Sequence, residues 1–201
     1  MCWGSDWDDA LGNGARYSDY IGDGLDLDGY YYKDADDFDS ELGDALIAVD
    51  FGTVDGTNLT AKSLACGYVY TCALLSDDTI KCWGYNRKGD LGQGNTDAIG
   101  DEVGEMGDNL APVNLGTNRT VLTVFIPSDG YSTCALLDDY SLKCWGGRTG
   151  SGMLGNERAA YFDDYIGDGM EVMDNGDQVV TSVTEMGDNL VPVNLGTGRT
   201  V

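Results

Sequence analysis

Thr71-Cys72-Ala73-Leu74-Leu75-Ser76-Asp77-Asp78-Thr79-Ile80-Lys81-Cys82-Trp83-Gly84 is the stretch from which the fold is read. Two short runs rich in β-branched, aromatic and cysteine residues flank Ser76-Asp77-Asp78, and this pattern predicts a β-hairpin with the aspartates in its turn. The same pattern returns as Thr133-Cys134-Ala135-Leu136-Leu137-Asp138-Asp139-Tyr140-Ser141-Leu142-Lys143-Cys144-Trp145-Gly146.

Working outward, the repetition widens. Cys-Trp-Gly occurs at 2–4, 82–84 and 144–146, and Leu-Gly follows each copy at 11–12, 91–92 and 154–155. Residues 106–121 reappear at 186–201, differing only at Ala111/Val191 and Asn118/Gly198. Identity of this extent is internal duplication, the signature of a repeat architecture. The Cys-Trp-Gly copies are separated by 80 and then 62 residues, so the shorter spacing is read as the basic unit. The longer units carry insertions between Leu-Gly and the next Gly-Thr, around residues 19–44 and 161–184.

Further strands are expected at 46–51, 113–115 and 193–195, and at 61–66 and 121–126. Four short strands per unit with glycine-rich turns fit a propeller blade, and no stretch sustains a helical period. The reading is all-β: β-propeller-type blades of four antiparallel strands, in about three units. The units are a partial repeat with an acidic insertion (1–63), a repeat (64–126) and a repeat with an insertion (127–201). The sequence opens inside a Cys-Trp-Gly landmark and so reads as part of a longer chain.

The formal net charge is −24, from 35 acidic and 11 basic residues. A nucleic-acid partner needs clustered cations against its phosphates, and an anionic membrane surface needs the same. Both are disfavoured, and no apolar run reaches the roughly 20 residues that span a bilayer. The absence of histidine excludes Ser-His-Asp and Cys-His catalysis and every zinc site that uses histidine.

The residues 66–75 and 81–94, with Cys66-Gly67, Lys81-Cys82-Trp83-Gly84-Tyr85-Asn86 and Gly89-Asp90-Leu91-Gly92, resemble the regulator of chromosome condensation repeat. That resemblance implies blades of a seven-bladed β-propeller, of which this chain would supply an incomplete set. Tyr70 and Ser132 stand where the family usually has histidine, Asp90 replaces the glutamine of its Gly-Gln-Leu-Gly, and Gly147-Arg148 replaces the asparagine turn in the last unit. The paired cysteines and long acidic insertions resemble the disulfide-bearing branch found in extracellular or microbial repeat proteins. The nucleotide-exchange activity of the founding member depends on surfaces outside the repeat motif, and no residue here is assigned to it.

Cys72 and Cys82 are ten positions apart, as are Cys134 and Cys144. With the turn centred on Asp77, each pair sits opposite across the hairpin, within reach of a disulfide; reduced thiols packing as small hydrophobes are the alternative. The exact recurrence of the offset favours the disulfides. Cys66 is expected as a buried free thiol. Trp3, Trp83 and Trp145 recur with the hairpin and are read as blade core. Trp7 and Tyr30-Tyr31-Tyr32 are not periodic and are read as a contact surface.

Asn58-Leu59-Thr60 and Asn118-Arg119-Thr120 are glycosylation sequons. Asp19, Asp23, Asp26 and Asp28 carry carboxylates near the alternation of a calcium loop, without its full pattern; a solvated loop is the plainer alternative. No other cofactor is implied. The expected function is a non-catalytic module binding a protein or glycan, or associating with itself, outside the cell or at its surface. A structural element of a surface assembly and a carboxylate-based carbohydrate-active enzyme are the alternatives.

Overall fold

The computed structural model describes residues 4–5, 20–21, 48–128, 130–147, 154–155, 165–172, 178–180 and 185–196. Two three-stranded antiparallel sheets form its centre. The first orders β5 (Ala61–Cys66), β6 (Tyr70–Leu75) and β7 (Ile80–Gly84); the second orders β8 (Val121–Phe125), β9 (Ser132–Leu137) and β10 (Leu142–Gly146). Two-stranded ribbons pair β1 (Gly4–Ser5) with β2 (Tyr20–Ile21), β3 (Thr53–Val54) with β4 (Thr57–Asn58), and β11 (Met170–Val172) with β12 (Gln178–Val180).

The turn chemistry is the same in both hairpins. Asp77 Oδ1 accepts from the Thr79 N–H and hydroxyl, and Asp139 Oδ1 accepts from those of Ser141. The third loop residue is left-handed in each, Asp78 at φ 64° and Tyr140 at φ 62°. This is the three-residue hairpin loop that sets the register. It places Cys72 opposite Cys82 and Cys134 opposite Cys144, and each pair is joined as a disulfide with Cα atoms 4.1 Å apart.

Strand alternation then sorts the side chains. On β7, Ile80 and Cys82 face one way, while Lys81 and Trp83 face the other. Trp83 is fully buried in a cluster with Leu59, Ala73, Leu75 and Leu110, its ring 5.8 Å from that of Phe51. The disulfide face of the first sheet joins a larger cluster containing Ala135, Leu137 and Trp145 of the second, with Cys72 Sγ 4.0 Å from Thr133 Oγ1. Sheets stacked face to back in this way are propeller blades, and the fold is all-β.

The fourth position of each blade is filled discontinuously. Residues 111–116 and 191–196 are extended but form no strand, and neither do residues 48–51, where strands were expected. Pro112 and Pro192 lack the N–H that a ladder needs. One bond remains in each, from Val113 N–H to Ile80 O at 2.8 Å and from Val193 N–H to Leu142 O at 2.7 Å. At its other end the outer edge carries single bridges, Gly84 to Ile99 and Gly146 to Ile166, and the same Gly–Ile pairing joins Gly4 to Ile21. Cys66 is exposed instead of buried: it follows buried Ala65 on edge strand β5, so alternation turns it to solvent.

Tyr140 holds a left-handed conformation that an L side chain adopts at a cost of roughly 1 kcal/mol, and it is 56% exposed, so little packing is at stake. Tyr140→Asn should raise the melting temperature by about 2–4 °C. An unchanged or lowered transition would contradict the turn geometry.

Candidate functional site

Among the described residues, a polar clamp occurs once in each of the two three-stranded blades. Lys81, 5% exposed, donates from Nζ to the carbonyls of Phe51 (2.9 Å) and Gly107 (2.8 Å). Lys143 does the same to Leu115 (2.9 Å) and Gly187 (2.8 Å). The acceptors lie on two loops that meet over the lysine. One is Asp50-Phe51-Gly52-Thr53, or Asn114-Leu115-Gly116-Thr117. The other is the 3-10 turn Gly107–Asn109, or Gly187–Asn189.

The loops are also stitched directly. Asp108 accepts from the Thr53 N–H (2.6 Å) and hydroxyl, and Asp188 from those of Thr117 (2.8 and 2.6 Å). Gly107 N–H donates to Asp50 O and Gly187 N–H to Asn114 O. Burial pushes both lysines below the usual ammonium range, partly offset by Asp108, Asp77 and Asp50 at Lys81, and by Asp188 and Asp139 at Lys143. The Thr117 hydroxyl and N–H hold Asp188 below the ordinary carboxylate range.

A second polar element is the seam between blades. Asn86, 1% exposed, shapes the loop after Trp83: its Oδ1 accepts from Leu91 N–H (2.9 Å) and its Nδ2 donates to Asn95 O (3.0 Å). The loop thus presents Asp90 O to Trp145 Nε1 at 3.1 Å and to the Thr133 hydroxyl at 3.4 Å. The Thr133 hydroxyl also lies 3.0 Å from Tyr70 Oη. Gly92 (φ 66°) lies so close that a Cβ there would come within 2.8 Å of Trp145 Nε1. The Asp90 carboxyl is buried in the seam, and Gly147 N–H reaches its Oδ1 at 3.3 Å. Burial raises its pKa to about 6, against the opposing effects of the Gly147 bond and Lys88.

On the same seam, four tyrosines surround two cations. Lys88 Nζ lies 4.6 Å from the Tyr131 ring centre and 5.9 Å from that of Tyr165, and Arg87 Cζ lies 5.8 Å from that of Tyr85. Tyr68, 75% exposed, packs beside Tyr131 at 5.8 Å between centres, and its N–H bonds Gly130 O across the blades.

The sequence-derived residues fall as follows. Cys72, Cys82, Cys134 and Cys144 are buried in the hairpins, and Trp83 and Trp145 are blade core. Asn58 on β4 and Asn118 (φ 56°) are both exposed. Asp19, Asp23, Asp26, Asp28, Trp7 and Tyr30-Tyr31-Tyr32 lie outside the described residues. The acidic loop around Asp19 has a second copy at 164–169, described from Tyr165 onward. There the Gly167 N–H donates to Glu185 Oε2 (2.9 Å), as the Gly100 N–H does to Glu105 Oε2 (2.8 Å). Among the described residues no group of three metal-ligating side chains converges. Sequence reasoning missed the lysine clamp and the tyrosine seam, and it placed Asn86 only as the asparagine of the turn after Trp83-Gly84. Lys81 and Lys143 did carry a signal, since lysine precedes Cys-Trp-Gly in both complete hairpins and Met-Gly-Asp-Asn-Leu recurs with them.

Blades of this construction define the chain as a β-propeller repeat protein. Residues 61–90 match the family described as Regulator of chromosome condensation (RCC1) repeat. The second hairpin, residues 133–146, repeats the sequence pattern of residues 71–84 within the matched segment. Among solved structures, it is similar to Prp20p from Saccharomyces cerevisiae, at 20% identity over 73% of this chain and 28% of that one, with a TM-score of 0.42. It is also similar to yeast RCC1 (Prp20) in a complex with Kap60, at 17% identity over 71% and 27%, TM-score 0.40. Human WBSCR16 matches at 21% identity over 47% and 21%, TM-score 0.35. The chain spans between 21% and 28% of the length of these structures.

Two outcomes test the site. Lys81→Met leaves two buried carbonyls without their donor and should destabilise the fold by about 2–4 kcal/mol, with Lys143→Met costing a similar amount in chemical denaturation. For Asp90, the folded pKa lies above the unfolded one, so protonation favours the fold and stability from this group rises as pH falls below about 6. Asp90→Asn should therefore be more stable than the parent at pH 7.5, by at most about 3 kcal/mol. The difference should shrink as pH falls from about 6 towards 4. A constant difference across that range would show that Asp90 does not titrate in the seam.

Proposed function

We propose that this chain is a non-catalytic, protein-binding propeller module. The observation that carries the reading is how its recurrent polar residues are used. Lys81 and Lys143, Asp108 and Asp188, Glu105 and Glu185 are each held by hydrogen bonds within the fold, in matching positions of successive units. The segments that follow the two Trp-Gly landmarks differ in sequence, Tyr85-Asn86-Arg87-Lys88 against Gly147-Arg148-Thr149-Gly150, and loops are where a scaffold presents its contacts. The net charge of −24 opposes a nucleic-acid partner.

The setting we propose is extracellular or cell-surface. Two buried disulfides suit an oxidising compartment, and the exposed sequons Asn58 and Asn118 are accessible to glycosylation.

Cross-linking mass spectrometry of the full chain with its captured protein partners should place cross-links on the loops near residues 67–69 and 85–88. A screen of glycosidic, ester and phosphoester substrates should give no turnover. Turnover that a single aspartate-to-asparagine change abolishes would overturn the reading.

A further inference from the structure

We propose that the tyrosine-ringed cation pair Arg87–Lys88, at the seam between the two described blades, is a docking surface for a carboxylate-rich peptide segment of a partner protein. The inference rests on the protein-binding reading and names its surface. Among the described cations, Lys62 is ion-paired with Asp78, and Arg119 with Asp138 and Asp139. Lys81 and Lys143 are buried on backbone carbonyls. Arg87 and Lys88 differ from all four: they are laid on tyrosine rings and form no ion pair within 4 Å among the described residues, although Lys88 also acts electrostatically on the buried Asp90 carboxyl. In a chain with 35 acidic and 11 basic residues, Arg87 and Lys88 are the only two basic residues adjacent in sequence, and Arg87 is exposed.

A cation held over a ring is ordered before a ligand arrives, which lowers the entropy lost on binding. The arginine keeps its planar fork for a carboxylate, and the hydroxyl of exposed Tyr68 adds a donor. The patch spans both blades, and the Tyr68 N–H to Gly130 O bond ties its two sides together. The chemistry also favours an acidic peptide over a sugar. Sugar stacking needs open ring faces, whereas cations lie against the rings of Tyr131, Tyr165 and Tyr85. The remaining net negative field is screened within about 8 Å at physiological salt, so the attraction is local.

The test uses the full chain and fluorescence anisotropy at physiological ionic strength. The probes are labelled peptides of Glu, Asp and Gly, peptides of Lys, Arg and Gly, and an oligogalacturonate as competitor. The acidic peptide should bind. Arg87→Gln, which removes a guanidinium that meets only the Tyr85 ring, should weaken binding about tenfold, as should Lys88→Gln. Tyr68→Ala should weaken it less, and Arg87→Gln should keep the parent's melting temperature. Acidic-peptide binding that is absent, or unchanged in both cation variants, would overturn the assignment. Binding of the basic peptide instead would overturn it while leaving the protein-binding reading intact, whereas binding of no peptide would count against both. Displacement by oligogalacturonate as effective as by unlabelled acidic peptide would overturn the peptide as occupant.

Discussion

Strand alternation in two short hairpins is the constraint on which the rest depends. In β7 and β10 the cysteine and the tryptophan are neighbours, so they must point to opposite faces. The disulfide goes to one side of the blade and the indole to the other, and a slip of one residue would exchange them. The three-residue turn and the cross-strand cysteine pair fix the same register independently. Closing a loop of this size contributes about 3 kcal/mol in the chain-entropy model. With the register set, the disulfide face of the first blade meets the Thr133 and Trp145 face of the second, and stacking follows.

Lysine on the tryptophan face carries the second consequence. It sits where two irregular loops converge, and irregular backbone buried against a sheet has carbonyls that need donors. One ammonium supplies two of them in each blade, and Asp108 or Asp188 completes the closure from the other side. The irregular outer edge thus survives without a continuous fourth strand, because prolines that interrupt a ladder are compensated by charge-assisted hydrogen bonds nearby. Asp90 runs against this economy: it is a carboxyl in a seam that disfavours its charge, placed where its backbone carbonyl serves Trp145.

The hairpins, the duplication and the blade class were legible in the sequence because they are local. Turn formers at 76–78 and 138–140, and cysteines at a constant offset, act within one supersecondary unit. The fourth strand was misjudged because the alternating Val113-Asn114-Leu115 looked like a ladder, while the missing N–H of Pro112 and the competing loop contacts decide its pairing. The buried status expected of Cys66 failed for a similar reason, since sequence gives the alternation but not which face of an edge strand is covered. Lys81 and Asp108 are 27 positions apart in sequence, and nothing local connects them. The tyrosine seam draws on residues 68, 85, 131 and 165, so it exists only once blades have stacked.

The central claim is that each blade is a register-locked hairpin whose cysteine and tryptophan faces are fixed by one cross-strand pair. Peptide mapping of the unreduced full chain, purified from an oxidising compartment, tests it most directly. The account predicts two linkages, Cys72 to Cys82 and Cys134 to Cys144, with Cys66 open to alkylation in the folded protein. Recovery of Cys66 linked to Cys72 or Cys82, or of all these thiols free, would contradict it.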